Sequence, residues 1–382
     1  MKTTDLIVVG GGLVGVALAY GAARTGARVT VLDEGDDAFR ASRGNFGLVW
    51  VQGKGYGMAP YARWSMRSSR QWPALSAALL EETGVDVQLR QPGGFHFCFS
   101  EREMQDRAAR MQSIRDDLDG DYPFEMLDHD ALLRQLPGIG PTVAGASYTP
   151  MDGHANPLKL LRALHSACQA RGVQVIGGGR ATQVKRLPGG DGFEVEAGGR
   201  RHRAARVVMA AGLGNRTLAE QVGLHAPVVP NRGQVLVGER VAKFLDHPTT
   251  YVRQTDEGTI QLGDSMEDVG LDDGTTADVL ATIAQRGVRA FPALESLRLV
   301  RAWGALRVMT PDGYPIYQQS TRCPGAFVVT CHSGVTLAAN HVFTIAPWLA
   351  GDPEAGVDVP AGAEAFTGDR FLGDNQKFSN AH

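Results

Sequence analysis

Cysteine is scarce in this chain of 382 residues, and neither sign of charge is in much excess. The four cysteines, Cys98, Cys168, Cys323 and Cys331, lie far apart with no C-x-x-C, which excludes a redox dithiol or a four-thiolate cluster within the chain. A reducing cytoplasm is the expected compartment, and no metal site is expected. With 38 basic and 41 acidic residues the formal net charge is −3, which gives no electrostatic case for nucleic acid or an anionic membrane surface. The apolar stretch from residue 6 to 23 carries four glycines within six residues and runs in phase into a second strand, so it reads neither as a transmembrane segment nor as a signal peptide.

What the chain does have is a glycine-rich opening. Leu6-Ile7-Val8-Val9 runs into Gly10-Gly11-Gly12-Leu13-Val14-Gly15, then an Ala-rich helix, then Val29-Thr30-Val31-Leu32-Asp33. This is strand, tight turn, helix and second strand, ending in an acid eighteen residues past the last glycine. Gly10 permits the turn, Gly12 lets a pyrophosphate approach N–H groups at the positive end of the helix, and Gly15 lets that helix lie close to the strand. Asp33 is placed to accept from a ribose hydroxyl pair. The unit predicts one dinucleotide, but nicotinamide and flavin enzymes share it.

Past this unit, Ala41 to Gly47 is dense in turn formers, and a helix is predicted from about Tyr61 to Thr83. Residues 85 to 150 mix short strands, among them Gly94 to Phe99, with a charged helix near 101–119, and read as an inserted lobe. Asn156 as N-cap and Pro157 at the first helical position then open a helix ending at Gly172. Val173-Gln174-Val175-Ile176 reads as a buried strand, and Arg206 to Gly212 as an apolar strand entering a glycine turn. Alternation in Val235-Leu236-Val237, Thr250 to Arg253 and Thr259 to Leu262 predicts a mainly antiparallel sheet between about 226 and 320, interrupted by a helix near 275–290. Gly325 to Thr330 is a further buried strand, and a helix is predicted from Gly334 to about Leu349. The fold class is thus α/β, with a doubly wound, Rossmann-like nucleotide lobe from discontinuous segments, 1–84, 145–225 and 322–382. A smaller antiparallel substrate lobe comes from 85–144 and 226–321.

No second strand–GxGxxG–helix unit is found, since Gly177-Gly178-Gly179 leads into a strand, so a bound flavin would take electrons directly from substrate. Tyr251 and Arg253 project to opposite faces of one strand, and Tyr251 is the one assigned to the pocket. Cys331 and the five tryptophans read as packing groups, Asp273 and Asp312 as turn acids, and Arg200-Arg201-His202-Arg203 as solvated surface.

Over nearly its whole length the chain resembles the D-amino-acid oxidase superfamily of FAD amine oxidoreductases, which includes glycine oxidase and sarcosine oxidase. The resemblance rests on Gly10, Gly12, Gly15 and Asp33; Ser42 to Gly47; Asp152-Gly153 before Asn156-Pro157; Val207 to Gly212; Trp303-Gly304-Ala305-Leu306-Arg307 through Thr310 to Pro315; and Thr330 to Ala338. Arg253, Arg232-Gly233-Gln234 and Cys331-His332-Ser333-Gly334-Val335-Thr336-Leu337-Ala338 resemble the FAD-carrying subunits of opine (octopine or nopaline) and D-hydroxyproline dehydrogenases.

The resemblance implies cofactor contacts at Gly10, Gly12, Leu13, Val14, Gly15, Asp33 and Glu34, with Ser42 and Arg43 near the pyrophosphate. It places Asn45, Phe46, Gly47 and Leu48 near the isoalloxazine, the Val184 backbone at the adenine, and Ala211 and Gly212 along the cofactor. Ser333, Gly334, Val335, Thr336 and Leu337 would form the start of a helix whose dipole faces the flavin carbonyl. Arg307 would clamp the substrate carboxylate against the flavin, with Tyr251 and His332 as further catalytic residues. Ala305 stands where sarcosine oxidase-like relatives carry a flavin-linking cysteine, so FAD is expected to be non-covalent. The loop from His332 to Leu337 is about two residues shorter than in glycine oxidase. The reaction implied is dehydrogenation of the C–N bond of a small secondary-amine acid. Partner subunits of a hetero-oligomer would bear further redox centres, an FMN at an interface and an iron–sulfur cluster outside this chain. Two alternatives stand beside it: a self-sufficient glycine, D-amino-acid or sarcosine-type oxidase making peroxide, and a non-catalytic FAD-binding assembly subunit.

Overall fold

The computed structural model describes residues 4–35, 41–351 and 359–373. The strand Thr4–Val9 lies at the heart of an eight-stranded sheet, and its apolar run is buried on both faces, as expected of a central parallel strand. Val29–Leu32 flanks it on one side, with Leu6 opposite Val29, and Arg200–Met209 on the other, with Val9 opposite Met209, both parallel. Ala326–Thr330 continues the parallel order beyond Met209, and Gln174–Ile176 closes the opposite edge. Phe193–Ala197 and Ala181–Arg186 add an antiparallel meander to the outer half of Arg200–Met209.

The helix Leu13–Arg24 is buried almost all round, which its alanines and glycines permit. A Cβ on Gly15 would collide with the Gly10 carbonyl, and one on Gly21 with the Val342 carbonyl. Gly10 itself has φ +110 and its Cα faces the Ala210 carbonyl, so this turn admits no side chain. The helix Pro157–Ala170 packs on the same side, capped as its sequence predicts: Asn156 Oδ1 accepts from Leu158 N and Lys159 N.

The second lobe joins two small sheets through one core. In the four-stranded sheet the order is Val252–Gln254, Thr259–Leu262, Val229–Arg240, Leu299–Met309, all antiparallel. The three-stranded sheet sets Gly145–Thr149 between Gly94–Cys98 and Glu125–Asp128. Phe95, Phe97, Leu127 and Ala146 of the second pack with Leu236, Val252, Ile260 and Phe291 of the first.

Four expectations are corrected. Residues 145–149 belong to the inserted lobe's sheet, because their hydrogen bonds run to Gly94–Cys98 on one side and Glu125–Asp128 on the other. Ile316–Gln319 belongs to the nucleotide sheet, folding back antiparallel on Ala326–Thr330. Gln174–Ile176 is an edge strand, and Val175 is 43% exposed rather than buried. The last helix starts at Ala338, not Gly334; it runs to Ala350 with a π-helical turn at His341–Ile345, and residues 334–337 form turns before it.

Gly15→Ala tests the crossing of strand and helix. The added methyl has no space to enter, so the substitution is expected to cost about 1–3 kcal/mol of stability. Urea unfolding of the two proteins, with and without FAD, measures it; equal midpoints would refute the close contact.

Candidate active site

A cavity of about 650 Å³ runs across the carboxyl ends of the parallel strands, the place where open α/β sheets bind ligands. Its floor is the Gly10–Val14 turn. At one end stand Asp33, Glu34, Val175, Gly177, Arg180 and Ala181; at the other, Asn45, Leu306, Val308, Cys331, His332 and Gly334.

The turn is held by its neighbours. Asp33 accepts from Gly11 N at 2.6 Å and from Gly35 N at 3.0 Å. Gly12 supplies no side-chain cap to the helix, and Ser42 Oγ, from a distant segment, accepts from Leu13 N at 2.8 Å. His165 Nε2 lies 3.1 Å from the Gly11 carbonyl. A Cβ at Gly12 would press on Ser42 Oγ, so a side chain there would displace the hydroxyl that holds Leu13 N.

This cavity fits an extended dinucleotide. The glycine turn and the helix N-terminus suit a pyrophosphate, Asp33 a ribose, and the apolar pair Leu306 and Val308 a flat ring. Residues 5–341 match the family model described as DAO, FAD dependent oxidoreductase. The chain belongs to the DAO family of FAD-dependent oxidoreductases. It is 44% identical over 351 residues to the B subunit of opine oxidase from Rhizobium meliloti, covering 92% of this chain and 94% of that one. Identity to the corresponding opine oxidase chain of Agrobacterium tumefaciens (strain Ach5) is likewise 44%, with the same coverage. The fold matches the crystal structure of glycine oxidase from Geobacillus kaustophilus with a TM-score of 0.84 at 23% identity, over 90% of this chain and 94% of that one.

Of the cofactor residues expected of this DAO chain, Gly10, Gly12, Leu13, Val14, Asp33, Glu34, Ser42, Arg43, Asn45, Ala211, Gly212 and Gly334 line the cavity, and so does His332. Gly15 sits behind the floor as a packing glycine. Val184 is not on the cavity wall: it is buried in its strand with Phe193 and Val195 as core neighbours, and Gln221 Oε1 takes its N–H at 2.8 Å. Arg180 and Ala181, three to four residues earlier, form the wall instead. Val335, Thr336 and Leu337 also turn into the protein. Trp72 Nε1 donates to the carbonyls of Val335 and Thr336, and Leu337 is wholly buried. Leu48 pairs with His154 in a two-residue ladder, off the cavity wall. Asp273, read from sequence as a turn acid, lies on the wall together with Leu271.

Around His332 lies a polar cluster that sequence reasoning missed, apart from Ser333. Ser333 Oγ receives Lys54 Nζ at 2.6 Å and Tyr61 OH at 2.9 Å, and lies 3.2 Å from His332 Nδ1. Burial pulls the Lys54 ammonium down to about 8, while it pushes the neighbouring Cys331 thiol up to about 12. Cys331 is therefore a neutral packing thiol, as its sequence context suggested. Deeper still, His341 is held neutral by burial and lies 3.1 Å from Tyr317 OH.

On the strand Leu299–Met309, Arg307 sits between Leu306 and Val308 but is not itself on the cavity wall. Its Nη1 donates to Asn231 Oδ1 at 3.2 Å and to the Ser265 carbonyl at 2.8 Å, and its Nη2 to Asp264 Oδ2 at 2.5 Å. Tyr251 is off the wall too, under the Arg286 guanidinium, whose Cζ lies 4.3 Å from the ring centroid. Arg286 Nη2 in turn donates to the carbonyls of Gly263 and Asp264, and Phe46 lies against Gly263. The segment 263–265 thus brings Tyr251, Arg307 and Phe46 together. The expected opposition of Tyr251 and Arg253 on one strand is corrected: Tyr251 precedes the strand Val252–Gln254, and residues two apart on a strand would share a face. Arg253 is only 2% exposed and donates to Phe46 O, Ala155 O, Gln261 and His154.

Two measurements bear on this geometry. Asp33→Ala removes the acceptor at the ribose end and is expected to weaken FAD about ten- to hundredfold, read as the dissociation constant of reconstituted protein. Lys54 releases its proton lower in the fold than the ordinary 10.5, so between pH 8 and 10.5 the unfolded chain binds more protons and stability rises with pH. Lys54→Met is expected to flatten that rise when unfolding is compared at pH 7.5 and 9.5; a parallel pH dependence would contradict the perturbed amine.

Proposed function

We propose that this enzyme oxidises the C–N bond of a small secondary-amine acid of the opine class, octopine or nopaline, with D-hydroxyproline as the cyclic counterpart. The observation that carries the reading is Arg307, a guanidinium anchored by Asn231 and the Ser265 carbonyl at the flank of the cavity. A planar fork suits a carboxylate and fixes the direction of the adjacent Cα–H. The 44% identity to opine oxidase B subunits along both chains supports the same substrate class.

Bound non-covalently beside Leu306 and Val308, the flavin supplies an acceptor for two electrons. This chain's residues do the rest by positioning. Arg307 holds the carboxylate, Tyr251 stacked beneath Arg286 closes one side, and Phe46 against Gly263 keeps water from the reacting carbon. His332, hydrogen-bonded through Ser333 to Lys54, offers a polar group at the wall. A substrate that arrives as the neutral amine needs no strong base, and the imine formed hydrolyses in water. Electrons leave to partner subunits of a hetero-oligomer, with an FMN at the interface and an iron–sulfur cluster in a partner. The relatives' naming as subunits supports this. Four unpaired cysteines fit a reducing cytoplasm, and among the described residues no helix is long and apolar enough to cross a membrane.

Anaerobic mixing of the FAD-loaded protein with octopine, nopaline, D-hydroxyproline, sarcosine and proline is the test. At least one opine or imino acid is expected to bleach the flavin band, and Arg307→Met to lower kcat/KM for it by about 100-fold. Stoichiometric peroxide from the isolated chain would replace the dehydrogenase reading by an oxidase. No bleaching by any of the five would leave a non-catalytic flavoprotein.

A further inference from the structure

The glycine turn is gripped at three successive peptide groups by side chains from three distant segments. Asp33 Oδ2 accepts from Gly11 N at 2.6 Å, His165 Nε2 lies 3.1 Å from Gly11 O, and Ser42 Oγ accepts from Leu13 N at 2.8 Å. Asp33 and Ser42 take up N–H groups, whereas His165 engages a carbonyl. A carbonyl has no proton to give, so His165 Nε2 carries the hydrogen and donates. Burial lowers the His165 pKa, which keeps the ring neutral at neutral pH and leaves Nδ1 bare. The ring comes from a helix that is itself fixed. His165 and Leu161, four residues apart on Pro157–Ala170, both line the cavity, while Cys168 of that helix meets the Val16 carbonyl at 3.5 Å.

The C=O of Gly11 and the N–H of Gly12 belong to one planar trans unit and point in opposite directions. A carbonyl drawn to His165 therefore turns Gly12 N–H away from that ring. Gly12 N and Val14 N have no hydrogen-bond partner among the described residues, and both residues line the cavity. Leu13 N, between them, is already taken by Ser42. With glycine on both sides this peptide meets little steric resistance to turning over, and a turned peptide would put its carbonyl where the N–H now stands. That oxygen would repel an anion. The His165 bond opposes the turn, and by drawing on the carbonyl it also strengthens the N–H of the same peptide as a donor.

We propose that His165 is a positioning residue for the cofactor: by donating to Gly11 O it holds the Gly11–Gly12 peptide with its N–H free for a diphosphate oxygen, without touching the anion itself. This role serves retention of FAD and is independent of which amine is oxidised.

The test titrates the full chain, stripped of flavin, with FAD, with ADP, which keeps the diphosphate but has no flavin, and with adenosine, which has no phosphate. Dissociation constants are read by flavin fluorescence and calorimetry. His165→Leu removes the donor and is expected to weaken FAD and ADP by about tenfold while adenosine binds as before. His165→Gln sets an amide N–H near the place of Nε2–H and is expected to hold FAD within about threefold of the wild type. Unchanged FAD affinity in His165→Leu, equal weakening of adenosine, or a His165→Gln protein no better than His165→Leu would each overturn the role. Nitrogen NMR of the unsubstituted protein, isotope-labelled in its histidines, checks the donor without any variant having to fold. His165 is expected to show a protonated Nε2 and a bare Nδ1, and the opposite tautomer refutes the proposal.

Discussion

The close crossing of Thr4–Val9 and the helix Leu13–Arg24 is the constraint on which the site depends. Backbone meets backbone there because Gly10 and Gly15 have no Cβ, and only that approach brings the first N–H groups of the helix to the mouth of the sheet. Those N–H groups have no partner within their own helix, so the fold must supply one or leave room for a ligand that does. It does part of each. Ser42 Oγ takes Leu13 N, and the rest of the helix end faces the cavity. Strand, turn, Ser42 and Asp33 form one hydrogen-bonded unit at the floor of the cavity.

A second set of buried polar groups joins the antiparallel-sheet lobe to the parallel-sheet lobe. Arg253 is buried with no carboxylate within ion-pair reach among the described residues, and burial lowers it to about 10. A guanidinium in that position is tolerated because its hydrogen bonds run to two carbonyls, an amide oxygen and the His154 ring. Those partners lie on the segment at Phe46, on the ladder residue His154 and its neighbour, and on the four-stranded sheet. Asp152 works similarly one residue pair away. It accepts from Val51 N, Gln52 N and the Gln52 amide, while burial raises it to about 7. Arg107 reaches the same Gln52 from the inserted lobe and donates to Ser147. The lobes are thus joined by polar groups whose removal would strand buried partners.

What the sequence made legible is what local backbone chemistry dictates. Gly10, Gly12 and Gly15 impose their turn wherever they occur between a strand and a helix, and Asn156 before Pro157 caps its helix through contacts two and three residues away. The antiparallel sheet showed in its alternation. Features that depend on distant pairing were hidden. Val184 and Ala181 lie on one short strand, and which of them meets the cavity is decided by the pairing with Phe193–Ala197 and by Gln221, which occupies the Val184 N–H. Residues 145–149 carry no marker that they pair with Gly94–Cys98 rather than with the nucleotide sheet. Asp264 and Arg307 stand 43 residues apart, so no motif joins them. Lys54 and Ser333 are separated by 279 positions.

The turns before the last helix show why the cofactor wall ends where it does. A helix starting at Gly334 would have aimed its dipole into the cavity. Instead Trp72 Nε1 holds the carbonyls of Val335 and Thr336, Ser68 Oγ also donates to Thr336 O, and Asn340 Nδ2 donates to Trp64 O. These bonds come from the long helix Ala59–Thr83, whose tryptophans fix the segment from behind. Carbonyls turned back toward that helix carry their partial negative charge away from the cavity, so the wall at Gly334 stays receptive to an electron-rich group. The same polarity follows from the Gly10–Val14 end, where N–H groups face inward. The cavity thus has backbone N–H groups at its Gly10–Val14 end and the Val335 and Thr336 carbonyls turned to Trp72 behind its other end.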